Sequence, residues 1–290
     1  GKTVIATLLG IMSGYTLKEI KKGIQHGQPQ MTIADLLGNP LPSSMVNAKS
    51  MDDIVIAWRK WLGMRVKIID EYNRIPTRTQ SALLTVMADN YAEVYDQIFE
   101  CPDAAWFLTA NDDAGGGTYQ VIEALSDRID IVVKALHFNT RFISELLQRI
   151  EEGISPEDMV PPEIVFTEPE LARMEKEVRQ VPISDSLRRR IEFFASELEF
   201  FEPGARQLEY MTKDTIKVAG VPFESFSDAD GGTSIGGQTR NGLSVRALMT
   251  CLVFAKALAY FRGNAEVTFD DVRQVLPFVL HDKLVQNRDA

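Results

Sequence analysis

Three short apolar segments, separated by helical stretches, constrain this chain more than any other feature. Met64-Arg65-Val66-Lys67-Ile68-Ile69 runs into Asp70-Glu71. Ala104-Ala105-Trp106-Phe107-Leu108-Thr109-Ala110 runs into Asn111. Ile129-Asp130-Ile131-Val132-Val133 follows Arg128. Between them, Thr77 to Asp89 carries Ala82, Leu83, Val86 and Met87 at helical spacing, and Tyr119 to Ser126 reads as a second helix. Short buried strands alternating with helices predict a parallel sheet covered on both faces. Ligands of such sheets bind beyond the carboxyl ends of the strands, which is where Asp70, Glu71 and Asn111 fall.

The flanking segments complete an α/β domain followed by an all-α one. Lys2 to about Met12 is apolar without Pro and reads as a helix. Gly23 to Gly38, broken by Gly and Pro, reads as a loop with at most a short strand, and Asp52 to Trp61 as a helix. From Asn139 onward helix signals dominate. Thr167-Glu168-Pro169-Glu170 and Thr268-Phe269-Asp270-Asp271 read as capping boxes. Ser184 can cap a helix bearing Leu187, Ile191, Phe194 and Leu198, and Val245, Leu248, Met249 and Leu252 form another stripe. Gly153 to Pro162 reads as a connector, and the glycine-rich Ser227 to Gly242 as a mobile loop. The expected boundary lies near Phe138, giving an α/β core over 1–138 and a helical lid over 139–290.

Composition narrows the function classes. With 31 Lys+Arg against 41 Asp+Glu the net charge is −10, which argues against broad binding to a nucleic-acid backbone. The one compact basic run, Arg188-Arg189-Arg190, reads as a solvated helix face. An apolar fraction of 45% excludes a disordered chain. The longest uncharged run, Thr3 to Leu17, is too short to span a bilayer. Cys101 and Cys251 lie far apart and read as buried thiols of a reducing compartment, the cytoplasm. His26, His137 and His281 show no metal-ligand spacing and are expected to be structural. Gly115-Gly116-Gly117 reads as a flexible loop, and Phe193, Phe194, Phe200 and Phe201 as lid core.

The residues that carry chemistry follow one order along the chain. Gly1-Lys2-Thr3 before an apolar helix matches the end of a phosphate-binding loop, G-x-x-x-x-G-K-[ST]. There the lysine neutralises phosphate charge, the hydroxyl ligates Mg²⁺, and the helix N-terminus favours an anion. Two carboxylates closing a buried strand, Asp70 and Glu71, need a reason, because unpaired buried charge is costly; in nucleotide hydrolases one serves the metal and the other the attacking water. An amide at Asn111 can bond a phosphate oxygen and that water. Arg128 can reach a neighbouring subunit's phosphate. Arg246, just after the glycine-rich loop, can contact phosphate from the helical domain. Each of these taken singly also has a plain structural explanation, such as a turn or a surface ion pair.

Together they resemble the MoxR-type AAA+ ATPases. Asp70-Glu71-Tyr72-Asn73-Arg74-Ile75-Pro76 with Thr79-Gln80-Ser81-Ala82-Leu83-Leu84 resembles that family's Walker B segment. Gly117-Thr118-Tyr119 with Glu123-Ala124-Leu125-Ser126-Asp127-Arg128 resembles the stretch from sensor 1 to the arginine finger. Val178-Arg179-Gln180-Val181, Gly242-Leu243-Ser244-Val245-Arg246-Ala247 and Val267-Thr268 with Asp271-Val272 resemble the lid and its sensor 2. Two positions depart from the pattern: Asp112 follows Asn111 where the family has Pro, and Ile129 stands where Phe is common.

The resemblance implies a P-loop core with a parallel sheet between helices, then an all-α lid, with ATP held between core and lid. It assigns Gly1, Lys2 and Thr3 to Walker A, Asp70 and Glu71 to Walker B, Asn111 to sensor 1, Arg128 to the finger and Arg246 to sensor 2. Thr3 and Asp70 would position Mg²⁺. A homo-oligomeric, usually hexameric, ring that remodels a protein client is implied, often alongside a von Willebrand factor A-domain protein. A nucleic-acid-associated AAA+ motor and a non-catalytic nucleotide-binding scaffold are the alternatives. The first part of the phosphate loop and its preceding strand are expected upstream of Gly1, in a longer polypeptide.

Overall fold

A computed structural model of the chain describes residues 1–111, 118–135, 140–199 and 235–286. Its contacts group Gly1–Arg128 with Ala135–Ala172 as one unit, and Ile129–Lys134 with Arg173–Ala290 as another. Phe138, where the sequence sets the boundary, lies outside the described residues.

In chain order the first unit contains α1 (Lys2–Met12), α2 (Leu17–Gly23), β1 (Gln25–His26), α3 (Ile33–Leu37), β2 (Gly38–Pro40) and α4 (Pro42–Asn47). These lead into β3 (Ile56–Trp58), β4 (Val66–Asp70), α5 (Thr77–Asp89), β5 (Tyr91–Val94), β6 (Gln97–Glu100), β7 (Ala105–Leu108), α6 (Glu123–Arg128) and α7 (Ile143–Glu151). The parallel sheet has the order β1-β4-β7. Its register pairs His26 with Asp70 and Ile69 with Leu108, so the strand ends come level. β4 is central and its residues Val66 to Ile69 are all buried, as a strand covered on both faces must be. One face packs Ala6, Ile20 and Met64 over Val66 and Ile68. The other packs Leu36, Leu37, Trp61, Ile75, Leu83 and Val86 over Ile69. The α/β class expected from the alternation is what forms.

α5 forms over Thr77–Asp89 with Leu83 and Val86 buried, as the stripe requires. Asp52 to Trp61 is not a helix: Ile54 and Ile56 are buried while Val55 is 53% exposed, a period-two pattern. Its strand, β3, pairs antiparallel with β2. The expected loop over 23–38 contains α3, started by a capping box of Thr32 and Asp35. The helix expected at Tyr119 starts at Glu123 instead. Before it, tertiary partners take the backbone amides: the Tyr119 amide donates to the Asn73 carbonyl and the Ile122 amide to Gln80 Oε1. Ile129 to Val133 is not a strand, and the sheet's third strand is β1. The segment instead joins the second unit, where the Val132 amide donates to the Phe278 carbonyl, Asp130 Oδ1 accepts from Thr250 Oγ1 at 2.7 Å, and Ile131 meets the core.

The second unit is helical among the described residues. α8 (Glu168–Gln180) enters it. α9 (Asp185–Glu199), α10 (Val245–Phe261) and α11 (Phe269–Leu280) surround a core of Val181, Leu187, Ala247, Cys251, Ala255 and Val272. Ser184 caps α9 as expected, its hydroxyl accepting from the Leu187 amide. Arg188, Arg189 and Arg190 are exposed. Phe194 is partly buried, whereas Phe193 is 67% exposed rather than core; Phe200 and Phe201 lie outside the described residues, as do Gly115 to Gly117 and residues 227–234 of the expected loop. Both thiols are free and buried, and burial pushes the Cys251 thiol up to about 11. No described helix is long and apolar enough to cross a membrane.

Asp271 anchors this unit. It is fully buried, accepts from the Thr268 amide at 2.9 Å and hydroxyl at 2.7 Å, and pairs with Arg262 at 2.6 Å. Burial alone would raise its pKa; the Thr268 amide and hydroxyl, with Arg262 and Asn264, outweigh it and hold the carboxyl below its ordinary value. A depressed folded-state value contributes stability that is complete above the unfolded value near pH 4 and is lost as pH falls through the folded one. Asp271→Ala is expected to destabilise the helical unit by about 2–3 kcal/mol, through a lost cap and lost charged hydrogen bonds. Thermal melts recorded from pH 7 to pH 3 should show the variant losing less on acidification than the parent.

Candidate functional site

The site is built where α1 begins and the parallel strands end. α1 starts at Lys2, with Gly1 as its N-cap residue. The Thr3 hydroxyl donates to Asp70 Oδ1 at 2.6 Å. Lys2 Nζ donates to Asn111 Oδ1 at 2.7 Å and to the Ala110 carbonyl. The helix N-terminus, the last residue of β4 and the residue beyond β7 therefore meet, although they are distant in sequence. The favourable end of the helix dipole faces the same place.

Glu71 lies just past β4 in the left-handed region, at φ 54°. In an extended strand, residues 70 and 71 would point to opposite faces. The left-handed turn breaks that alternation. Glu71 Oε1 accepts from Asn111 Nδ2 at 2.5 Å, and Oε2 from Arg74 Nη1 at 3.0 Å. Asn111 thus joins Lys2 through its oxygen and Glu71 through its nitrogen. Asn73 Nδ2 donates to the Asn111 carbonyl at 3.0 Å, fixing that backbone.

Thr109 ties the arrangement together. Its hydroxyl donates to Asp70 Oδ1 at 2.6 Å and accepts from the Glu71 amide at 3.0 Å, and its carbonyl accepts from the Tyr72 amide. Beyond Asp70 on the other side, His26 Nδ1 stands 3.3 Å from Asp70 Oδ2. The Gly27 amide donates to the Asp70 carbonyl at 2.7 Å. A Cβ on Gly27 would overlap the Glu71 carbonyl, so only glycine lets β1 run this close. Burial alone would raise the Asp70 pKa; the hydrogen bonds from Thr109 and Thr3, with the His26 imidazole beside them, outweigh it and keep the carboxyl below its ordinary value. Asp70 is held ionised and oriented.

The structure thus gathers Gly1, Lys2, Thr3, Asp70, Glu71 and Asn111. Arg128 closes α6 in the same unit, its Nη1 donating to the Ala124 carbonyl at 3.4 Å. Its Nε is buried with no hydrogen-bond partner among the described residues. Arg246 is exposed in the first turn of α10, in the other unit. Four contributors were not foreseen: His26, Thr109, Asn73 and Arg74. Thr109 could have been found from its place two residues before Asn111 at the close of an apolar run. His26 was hidden in a segment read as loop. His281 pairs with Asp282 at the surface, and His137 lies outside the described residues.

The donor set suits a nucleotide-bound Mg²⁺. Among the described residues no cluster of three or more His, Cys, Asp or Glu could hold a metal alone. Mg²⁺ is usually bound through one or two protein oxygens plus waters and phosphates; the Thr3 hydroxyl and the Asp70 carboxylate would offer two such oxygens. Asn73 Oδ1 and Arg74 Nε are buried at the site without partners among the described residues, as expected of groups kept for a ligand or a neighbour.

A helix N-terminus facing two acids and an amide at parallel strand ends, with a helical lid after it, is the AAA+ architecture. Residues 1–131 match the family model described as ATPase family associated with various cellular activities (AAA), and residues 233–290 match the AAA lid domain. The Chaperone MoxR1 of Mycobacterium tuberculosis is 24% identical over 224 residues, covering 77% of this chain and 51% of that protein. The chain thus spans about half the length of the curated relative it matches. The crystal structure of a presumed ATPase from Cytophaga hutchinsonii superposes with a TM-score of 0.66 at 20% identity, covering 98% of this chain and 82% of that one. Together these matches support a MoxR-type AAA+ ATPase.

Proposed function

We propose that this protein hydrolyses Mg-ATP and uses the cycle to remodel a protein partner. The observation that carries the reading is the 2.6 Å bond from Thr3 to Asp70, beside Lys2 on Asn111. It supports a phosphate cradle facing a metal-serving carboxylate. Lys2 would exchange its carbonyl and amide partners for phosphate oxygens. Thr3 and Asp70 would hold Mg²⁺ and its water. When bound, the ion would draw charge from the β- and γ-phosphates. Glu71, steadied by Arg74 and Asn111, would orient the attacking water and take its proton. Asn111 would align water and phosphate. Arg128 would complete a neighbouring subunit's site, so the active form would be a homo-oligomeric ring, hexameric by family likeness. Arg246 would sense phosphate from the lid. The same likeness supports a von Willebrand factor A-domain protein as co-worker and a protein client, and a cytoplasmic setting.

Binding of a fluorescent ATP analogue tests the cradle. Lys2→Ala in the full-length protein is expected to weaken it about 10–100-fold, the equivalent of losing a charged hydrogen bond of about 1.5–3 kcal/mol. Thr3→Ala should remove the Mg²⁺ effect on binding. Unchanged affinity in Lys2→Ala would refute the assignment.

A further inference from the structure

His26 stands at the site without a role in the proposed cycle. His26 closes β1, in register with Asp70, and its Nδ1 lies 3.3 Å from Asp70 Oδ2. Its side chain is 62% exposed, so core packing does not explain its place. The two Asp70 oxygens have different neighbours. Oδ1 accepts from Thr3 and Thr109, and Oδ2 faces His26. The terminal torsion of an aspartate is broad and roughly two-fold. Two hydroxyls hold the Oδ1 end of the carboxylate, and the imidazole facing Oδ2 holds its other end. β1 is in turn clamped to Asp70's own carbonyl by the Gly27 amide, so the imidazole cannot drift away with its strand.

We propose that His26 is a positioning residue of the divalent-cation site, donating from Nδ1 to Asp70 Oδ2 so that the carboxylate keeps Oδ1 toward Thr3. This rests on the reading of Thr3 and Asp70 as the groups that serve Mg²⁺. Partners that orient a metal-serving group typically contribute 10–100-fold to metal affinity. The effect belongs to the cation and not to the nucleotide, because His26 touches neither Lys2 nor Asn111 in any hydrogen bond among the described residues.

The test is a magnesium titration of the full-length protein holding a fluorescent ADP analogue. His26→Phe should raise the Mg²⁺ concentration at half-effect by about 10-fold or more and leave metal-free ADP affinity unchanged. His26→Asn places an amide N–H near the Nδ1 position and should restore most of the parent midpoint. His26→Ala repeats the comparison without added bulk, should the phenyl variant fail to fold. An unchanged midpoint overturns the proposal. So does an equal fall in metal-free and metal-bound affinity, or a failure of asparagine to rescue. If the parent protein itself shows no magnesium-dependent binding, the cation reading of Thr3 and Asp70 fails first, and the His26 role goes with it.

Discussion

Arg128→Ala is expected to lower ATP turnover by about 10³–10⁵, the range seen for arginines that reach into a neighbour's phosphate site. In its own chain Arg128 makes one long bond, 3.4 Å to the Ala124 carbonyl, and buries an unpartnered Nε among the described residues. An arginine retained only to finish α6 would be better satisfied at home. The loss should therefore come with little change in melting temperature. Subunit mixing separates the trans mechanism from a local one. Arg128→Ala and Lys2→Ala proteins, each inactive alone, should recover turnover when combined, because an intact Arg128 from one chain can serve an intact cradle in the other. Absence of recovery in mixed assemblies, or near-parental activity of Arg128→Ala, would remove the trans role. Specific activity of the parent should also rise with protein concentration.

Glu71→Gln gives the second large effect. Losing a positioned base is expected to slow hydrolysis by about 10²–10⁴, while Mg-ATP still binds through Lys2, Thr3 and Asp70. The substitution is conservative in shape but not in hydrogen bonding. Both Glu71 oxygens accept, from Asn111 and from Arg74, so a glutamine NH₂ must face a donor on one side. Single-turnover phosphate release, measured beside nucleotide binding, separates the steps. Retention of hydrolysis within about tenfold of the parent would exclude Glu71 as the base. The same variant, loaded with ATP, is suited to trapping the proposed client.

Much of the site was legible because it uses residues whose burial would otherwise be costly. Asp70, Glu71 and Asn111 close apolar runs, and a carboxylate or amide there needs partners wherever the strands lie. Their mutual geometry followed from one rule about parallel strand ends. What escaped notice was set by tertiary choices. His26 belongs to a two-residue strand that exists only because Gly27 can approach the Asp70 and Glu71 carbonyls. The β5–β6 hairpin turns at Tyr95 and Asp96, both at positive φ without a glycine to signal it. Ile129 to Val133 has the composition of a strand, but its amide and carboxylate partners lie in the helical unit, and no periodicity rule sees that. The helical unit was clearer, since capping residues such as Thr268 and Ser184 act locally. Thr16 with Glu19 is an equally local box.

Thr109 carries a consequence for how the two acids behave together. One hydroxyl contacts the Asp70 carboxylate and the Glu71 backbone at once, from a different strand. The carboxylate proposed to serve the metal and the backbone carrying the acid proposed to serve the water are thereby yoked: a slide of β7 against β4 would shift both in concert. Serine at 109 keeps that linkage and valine severs it, so this modest side chain governs whether the pair responds as a unit.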